Sequence, residues 1–62
     1  MIKENLWTPL HIASKNGHLD LVKFFIENGA SKTKRTGEGK MALELAEENN
    51  HWDIVEYLNL QN

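Results

Sequence analysis

The chain reads as an all-α repeat in which two helix-turn-helix units are stacked through a turn-rich connector, and three features of its sequence say so. Laid on itself at an offset of 33, it aligns Leu10 with Leu43, Ala13 with Ala46, Asn16 with Asn49, His18 with His51, Asp20 with Asp53 and Val22 with Val55, without a gap. Similar residues fill the intervals: Ile12 falls on Leu45, Leu19 on Trp52, Leu21 on Ile54, Phe24 on Tyr57 and Phe25 on Leu58. Helix start and stop signals recur in the same register, and a polar segment rich in Gly, Ser, Thr and Lys separates the two copies.

Thr8-Pro9 opens the first helix. The Thr8 hydroxyl can accept from a backbone N–H of the first turn, and Pro9 at the first helical position forfeits a donor that has no partner there. This helix runs over about residues 9–16 and stops at Gly17, where the chain reverses through a left-handed conformation that glycine adopts without a Cβ clash. Asn50 holds that position in the second unit and tolerates the same conformation. The second helix of each unit starts near Leu19 or Trp52. Asp20 and Asp53 place carboxylates in its first turn, against the positive end of the helix dipole. In the first unit it runs to about Asn28, ahead of Gly29. Residues 29–39 then form the connector, and Gly37 and Gly39 predict a tight extended hairpin projecting into solvent.

Thr8-Pro9-Leu10-His11, Asn16-Gly17-His18-Leu19 and Gly29-Ala30, spaced within a 33-residue period, resemble the ankyrin repeat family. The resemblance covers nearly the whole chain. It implies an ankyrin-type stack in one domain over residues 1–62, with repeat 1 at about 3–35 and repeat 2 at about 36–62, each an antiparallel helix pair with a hairpin projecting from one side. The second unit departs from the family pattern: Met41, Ala42 and Glu44 stand in place of Thr8, Pro9 and His11. The hydroxyl cap and the imidazole hydrogen bond that the family leads one to expect are then missing, and a weaker helix start is predicted. Leu6 stands where the family usually has a turn glycine, so residues 3–7 are not expected to complete a hairpin.

The two units differ in the faces they offer. Residues 19–28 are apolar at 19, 21, 22, 24, 25 and 26, with a narrow polar stripe through Asp20, Lys23 and Glu27, as in a helix with neighbours on several sides. The counterpart helix carries Asp53, Glu56 and Asn59, and Asn59 replaces Ile26. This wider stripe suits a C-terminal cap. Stacks of this kind usually need three or more units. The N-terminal face is therefore expected to meet neighbouring repeats, to self-associate, or to be covered by Ile2, Leu6 and Trp7.

Composition narrows the function. A chain of 62 residues, 40% hydrophobic and 26% charged, lies at the small end of what one core supports. It contains no cysteine, which rules out disulfides, thiolate zinc clusters and a cysteine nucleophile. Its longest apolar stretch, residues 19–26, is broken by Asp20 and Lys23 and is too short to span a bilayer, and residues 1–10 hold no signal core. A soluble, cytoplasmic protein is the default expectation. All seven Lys and Arg lie at or before Lys40, whereas Glu44, Glu47, Glu48, Asp53 and Glu56 follow it, giving a basic front and an acidic back.

In the ankyrin family, partners are usually held by hairpin tips and the exposed side of each first helix. Carried over by position, the resemblance implies a partner-binding surface of Glu4, Asn5, Trp7, Lys15, Asn16, Arg35, Gly37, Glu38, Lys40, Glu48 and Asn49. Trp7 is the candidate anchor, since a few aromatic and arginine residues dominate binding energies; the competing reading makes it a cover for the end of the core. Trp52, aligned with Leu19, is read as core. His18 and His51 recur at equivalent positions, which favours a structural hydrogen bond in each turn over a metal site, and His11 belongs to the helix cap. The chain holds no glycine-rich phosphate loop after a strand and no nucleophile-triad spacing, so neither an enzyme nor a cofactor is expected. Lys32, Lys34 and Arg35 form a small basic patch. No aromatic residues interleave it and the pI is about 5.8, so a solvated tip is favoured over nucleic-acid binding. The expected function is a protein-interaction module presenting hairpin and first-helix side chains to a protein partner. The alternative is a structural cap or homo-oligomerisation element of a longer stack.

Overall fold

The computed structural model describes residues 7–60, which form four helices: α1 over Pro9–Asn16, α2 over Leu19–Glu27, α3 over Ala42–Glu48 and α4 over Trp52–Leu60. The 33-residue register of the sequence is therefore a register of helices. Within each unit the two helices pack on one another, and between units α1 packs on α3 and α2 on α4.

Local chemistry sets the helix ends. Thr8 caps α1 from an extended backbone (φ −95°, ψ 166°), its Oγ1 accepting from the His11 N–H at 3.3 Å. His11 Nδ1 accepts from the Thr8 N–H at 2.9 Å, which completes a reciprocal capping box. Since Nδ1 accepts, the ring proton sits on Nε2, which donates to the Lys34 carbonyl at 2.8 Å. One buried imidazole thus ties the start of α1 to the connector. Gly17 (φ 79°) and Asn50 (φ 62°) both adopt the left-handed conformation. Past them, the N–H groups of His18 and His51 reach back to Ala13 and Ala46 at 3.0 and 2.9 Å, the same C-terminal closure one period apart. Asp20 and Asp53 accept from the N–H of Leu21 and Ile54 in the first turns of α2 and α4.

At the start of α3 the imidazole bond is absent, as expected, but a carboxylate stands in for part of it. Glu44 Oε1 accepts from the Met41 N–H at 2.8 Å and so takes over the inward-reaching half of the capping box. The hydroxyl half is absent, because a thioether offers no comparable acceptor. α2 ends one residue before the predicted Asn28, which caps it and donates from Nδ2 to the Phe24 carbonyl at 2.7 Å.

The connector is tighter than an extended hairpin. Among the described residues no strand forms; the Gly39 N–H bonds the Thr36 carbonyl and the Thr36 N–H bonds the Lys40 carbonyl, both at 2.9 Å. Thr36 is buried, and its hydroxyl accepts from the N–H groups of Glu38 and Lys40. A side chain thereby takes donors that a second strand would otherwise satisfy.

Leu10, Ala13, Val22, Ala42, Ala46, Ile54, Val55 and Leu58 make one core that runs through both units, with Phe25, Ile26, Leu43 and Tyr57 packed around it. α1 and α3 pack on one another, and the small residues Ala13 and Ser14 of α1 and Ala42 and Ala46 of α3 are all buried. Trp52 corrects an expectation. It is 58% exposed, because the buried side of α4 is defined by Ile54, Val55 and Leu58.

Candidate functional site

Six of the side chains selected from the sequence line one concavity between α1, the connector turn and α3. Trp7, Lys15, Glu38, Lys40, Glu48 and Asn49 surround it, together with Leu45, and its volume is about 260 Å³. Trp7 and Lys15 form one wall. Trp7 stands edge-on to the His11 ring with centroids 6.1 Å apart, so the imidazole held at both nitrogens is also the support for the indole. One helical turn beyond His11, Lys15 brings its Nζ to 5.6 Å from the Trp7 ring centroid, a cation–π arrangement.

The opposite wall comes from the connector and the last turn of α3. Lys40 pairs with Glu48, joining the turn to the helix. The hydrogen bond to Glu48 holds the Lys40 ammonium above the ordinary lysine value of 10.5; the charge of Glu48 and the carboxylates of Glu44 and Glu38 act the same way, while partial desolvation opposes them. Glu38 accepts from the Thr36 hydroxyl at 3.2 Å. Asn49 caps α3 and donates from Nδ2 to the Leu45 carbonyl at 2.8 Å. Leu45, 4% exposed, lies at the floor.

Asn16 and Arg35 do not line this concavity. Asn16 is exposed at the last residue of α1. Arg35 turns inward along its own loop, donating from Nη1 to the Gly39 carbonyl at 2.8 Å and lying 4.0 Å from Glu44. Gly37 belongs to the connector turn without lining the cavity. Glu4 and Asn5 lie outside the described residues, as do Ile2 and Leu6.

Sequence reasoning missed Leu45, which it named only as the counterpart of Ile12, and Thr36, whose buried hydroxyl shapes the turn that carries Glu38 and Lys40. The signal for Thr36 was a hydroxyl placed just ahead of a Gly-Glu-Gly turn.

Of the two equivalent histidines only His51 makes the expected bond; His18 is exposed, and its ring forms no hydrogen bond to the described residues. His51 Nε2 hydrogen-bonds the Lys15 carbonyl at 2.9 Å, linking the units across their interface. Lys32 Nζ donates to the Leu58 carbonyl near the C-terminal end of α4, where a cation is favourable. Two cations of the basic patch, Lys32 and Arg35, are thus engaged within the molecule. Among the described residues no group of three or more His, Cys, Asp or Glu is placed to hold a metal, and no helix is long and apolar enough to cross a membrane.

A family model described as ankyrin repeats (3 copies) matches residues 1–62. A probable E3 ubiquitin-protein ligase of Oryza sativa subsp. japonica is 42% identical over 53 residues, covering 86% of this chain and 10% of the relative. The ARF GTPase-activating protein Git of Drosophila melanogaster is 39% identical over 56 residues, 90% of this chain and 8% of the relative. An alpha-latrotoxin of Latrodectus geometricus is 45% identical over 40 residues, 64% of this chain and 3% of the relative. The chain spans a tenth or less of the length of these relatives, whose names describe unlike activities. What they share with it is the repeat segment, and on its helix register, its caps and the full-length family match the chain belongs to the ankyrin repeat family.

Proposed function

We propose that this chain is a protein-interaction module whose contact surface is the concavity between α1, the connector turn and α3. Ankyrin repeats generally mediate protein–protein interaction, and the observation that carries the reading is the convergence of Trp7, Lys15, Glu38, Lys40 and Glu48 around one depression. An indole held at a fixed angle offers a large amphipathic area at little entropic cost, and the charged rim selects among partners. Lys15, Glu38, Lys40 and Glu48 come from three elements, so the rim keeps its geometry only while both units are stacked. The concavity presents no activated nucleophile beside a base, which suits non-covalent recognition rather than catalysis.

Affinity capture with wild-type protein, Trp7→Ala and Lys40→Glu, quantified alongside thermal melts, tests this reading. Trp7 stands outside the core cluster, so its removal is expected to leave the fold cooperative while a partner loses at least about 2 kcal/mol of binding, near 30-fold in affinity. A partner retained equally by both variants refutes the assignment.

A structural role for the second unit is favoured by one further observation. Glu47, Asp53, Glu56 and Asn59 are all exposed on it, and Glu47 and Asn59 replace Ser14, which is buried in the first unit, and Ile26, which packs against the core. This polar outer face is that of the last unit in a stack.

A further inference from the structure

The charges around the concavity are not all matched within the molecule. On the wall built from the connector and α3, each cation has a carboxylate: Lys40 pairs with Glu48, and Arg35 lies 4.0 Å from Glu44. Glu38 is left over. It is exposed in the turn, and its carboxylate accepts only the Thr36 hydroxyl among the described residues. On the facing wall the surplus has the opposite sign. Lys15 is exposed, forms no ion pair with the described residues, and holds its Nζ 5.6 Å from the centroid of the Trp7 ring. Leu45 lies at the floor, and the volume of about 260 Å³ falls below the roughly 300–1,000 Å³ of small-molecule sites. Such a space suits side chains entering from a partner rather than a whole small molecule.

We infer that the partner seated in this concavity is a protein segment that carries an arginine and an acidic residue on one face, the arginine directed at Glu38 and the carboxylate at Lys15. The inference rests on the contact surface proposed above and names what fills it. A guanidinium meets a carboxylate through two parallel hydrogen bonds, and its aliphatic stem can lie along Leu45 while the charge stays at the wet rim. The partner's carboxylate approaches Lys15 from the side away from the indole, so the cation–π contact persists and holds the ammonium in place. A segment of one charge sign satisfies one wall and faces a like charge on the other, which costs affinity. Polyanions, nucleic acid among them, meet the carboxylates of Glu38 and Glu48 wherever they reach Lys15. The acidic and basic pair therefore sets the register of the bound segment, while Trp7 supplies the larger contact area.

The test pans a library of linear peptides displayed on phage against the full chain, then titrates the chain against a synthetic copy of an enriched peptide by fluorescence polarisation. Enriched peptides are expected to combine Arg with Asp or Glu at a fixed spacing. Glu38→Lys is expected to weaken the chosen peptide by at least about tenfold, and exchanging the peptide's arginine for glutamate to recover most of that loss on the variant. Lys15→Glu is expected to behave in the same way toward the acidic position. Both side chains are exposed, so the urea midpoints of the two variants stay close to wild type and a loss of binding is not a loss of fold. Enriched peptides that need Trp7 yet are uncharged, carry one sign only, or are unmoved by either reversal overturn the inference and leave the contact surface standing. Peptides held equally by Trp7→Ala overturn the contact surface with it. An absence of enriched peptides overturns the inference. Retention of the chain on single-stranded DNA that Lys15→Glu abolishes assigns that wall to a polyanion and overturns the inference equally.

Discussion

Replacing Gly17 by alanine probes the contact that locks the units together, and Gly29 supplies the control. Both glycines have positive φ, 79° and 92°, so alanine at either costs about 1–2 kcal/mol for the left-handed backbone. Around Gly29 an added Cβ meets nothing within 4 Å, whereas at Gly17 it meets three atoms of the His51 ring at 2.6, 2.8 and 3.0 Å. The ring must then leave its place and give up the hydrogen bond to Lys15, a further loss of about 1 kcal/mol. Gly17→Ala is therefore expected to destabilise by about 2–3 kcal/mol, some 1 kcal/mol more than Gly29→Ala. That difference corresponds to roughly 1 M in urea midpoint for a chain of this size. In a His51→Ala background the clash has no object, and the Gly17→Ala cost is expected to fall to that of Gly29→Ala, giving a coupling of about 1 kcal/mol in the double-mutant cycle. Equal costs at the two glycines, or strict additivity with His51→Ala, would refute the account of His51 as the pin between units.

The caps offer a gain. Met41 has nearly the same backbone as Thr8 (φ −86°, ψ 165° against φ −95°, ψ 166°), so Met41→Thr restores the hydroxyl half of a box whose other half Glu44 already supplies, and is expected to add about 1 kcal/mol in chemical denaturation. Ser14 is fully buried with its Oγ unpartnered, and Ser14→Ala is expected to raise stability by about 1 kcal/mol by removing the stranded hydroxyl, again read from the urea midpoint. Lys40 gains its partner on folding and its pKa rises. Its contribution to stability is accordingly full below the ordinary lysine value of 10.5 and declines as pH climbs through the raised folded value. The stability difference between wild type and Glu48→Gln is therefore expected to shrink on the alkaline side of 10.5 while staying constant near neutrality. Melts across that range check it.

The helices were legible because their ends are decided locally. Thr8-Pro9, Gly17 and Asn50 act within a few residues of themselves, and a repeat with one period carries that information twice. Reading residue type instead of geometry failed at Glu44, since a carboxylate can reach back to the Met41 N–H as well as an imidazole can. It failed also at Trp52. Alignment with Leu19 suggested burial, but Leu19 is itself only half-buried, and position 52 lies roughly a third of a turn away from the direction that Ile54, Val55 and Leu58 face. Which chosen residues meet at one concavity was beyond any local signal. That depends on how closely α1 approaches α3 and on Lys40 closing against Glu48, both products of packing.

The uneven charge of the sequence acquires a physical use in this arrangement. The basic residues of the connector fall opposite the acidic half: Lys40 meets Glu48, Arg35 approaches Glu44, and Lys32 reaches the carbonyl end of α4. Exposed pairs of this kind add little to stability singly, so their effect lies in where they hold the turn. They draw it toward α3 and fix the rim that carries Glu38. On the other wall, His11 is held by Thr8 and Lys34 and in turn supports Trp7, so the indole's position depends on the connector that the ion pairs anchor. The two walls are thus mechanically one unit, linked through residues 34–40. A substitution that releases the turn, Lys40→Glu above all, is expected to disturb the angle of Trp7 as well as the charge of the rim, and its effect on a partner should exceed that of a charge change on an unlinked surface.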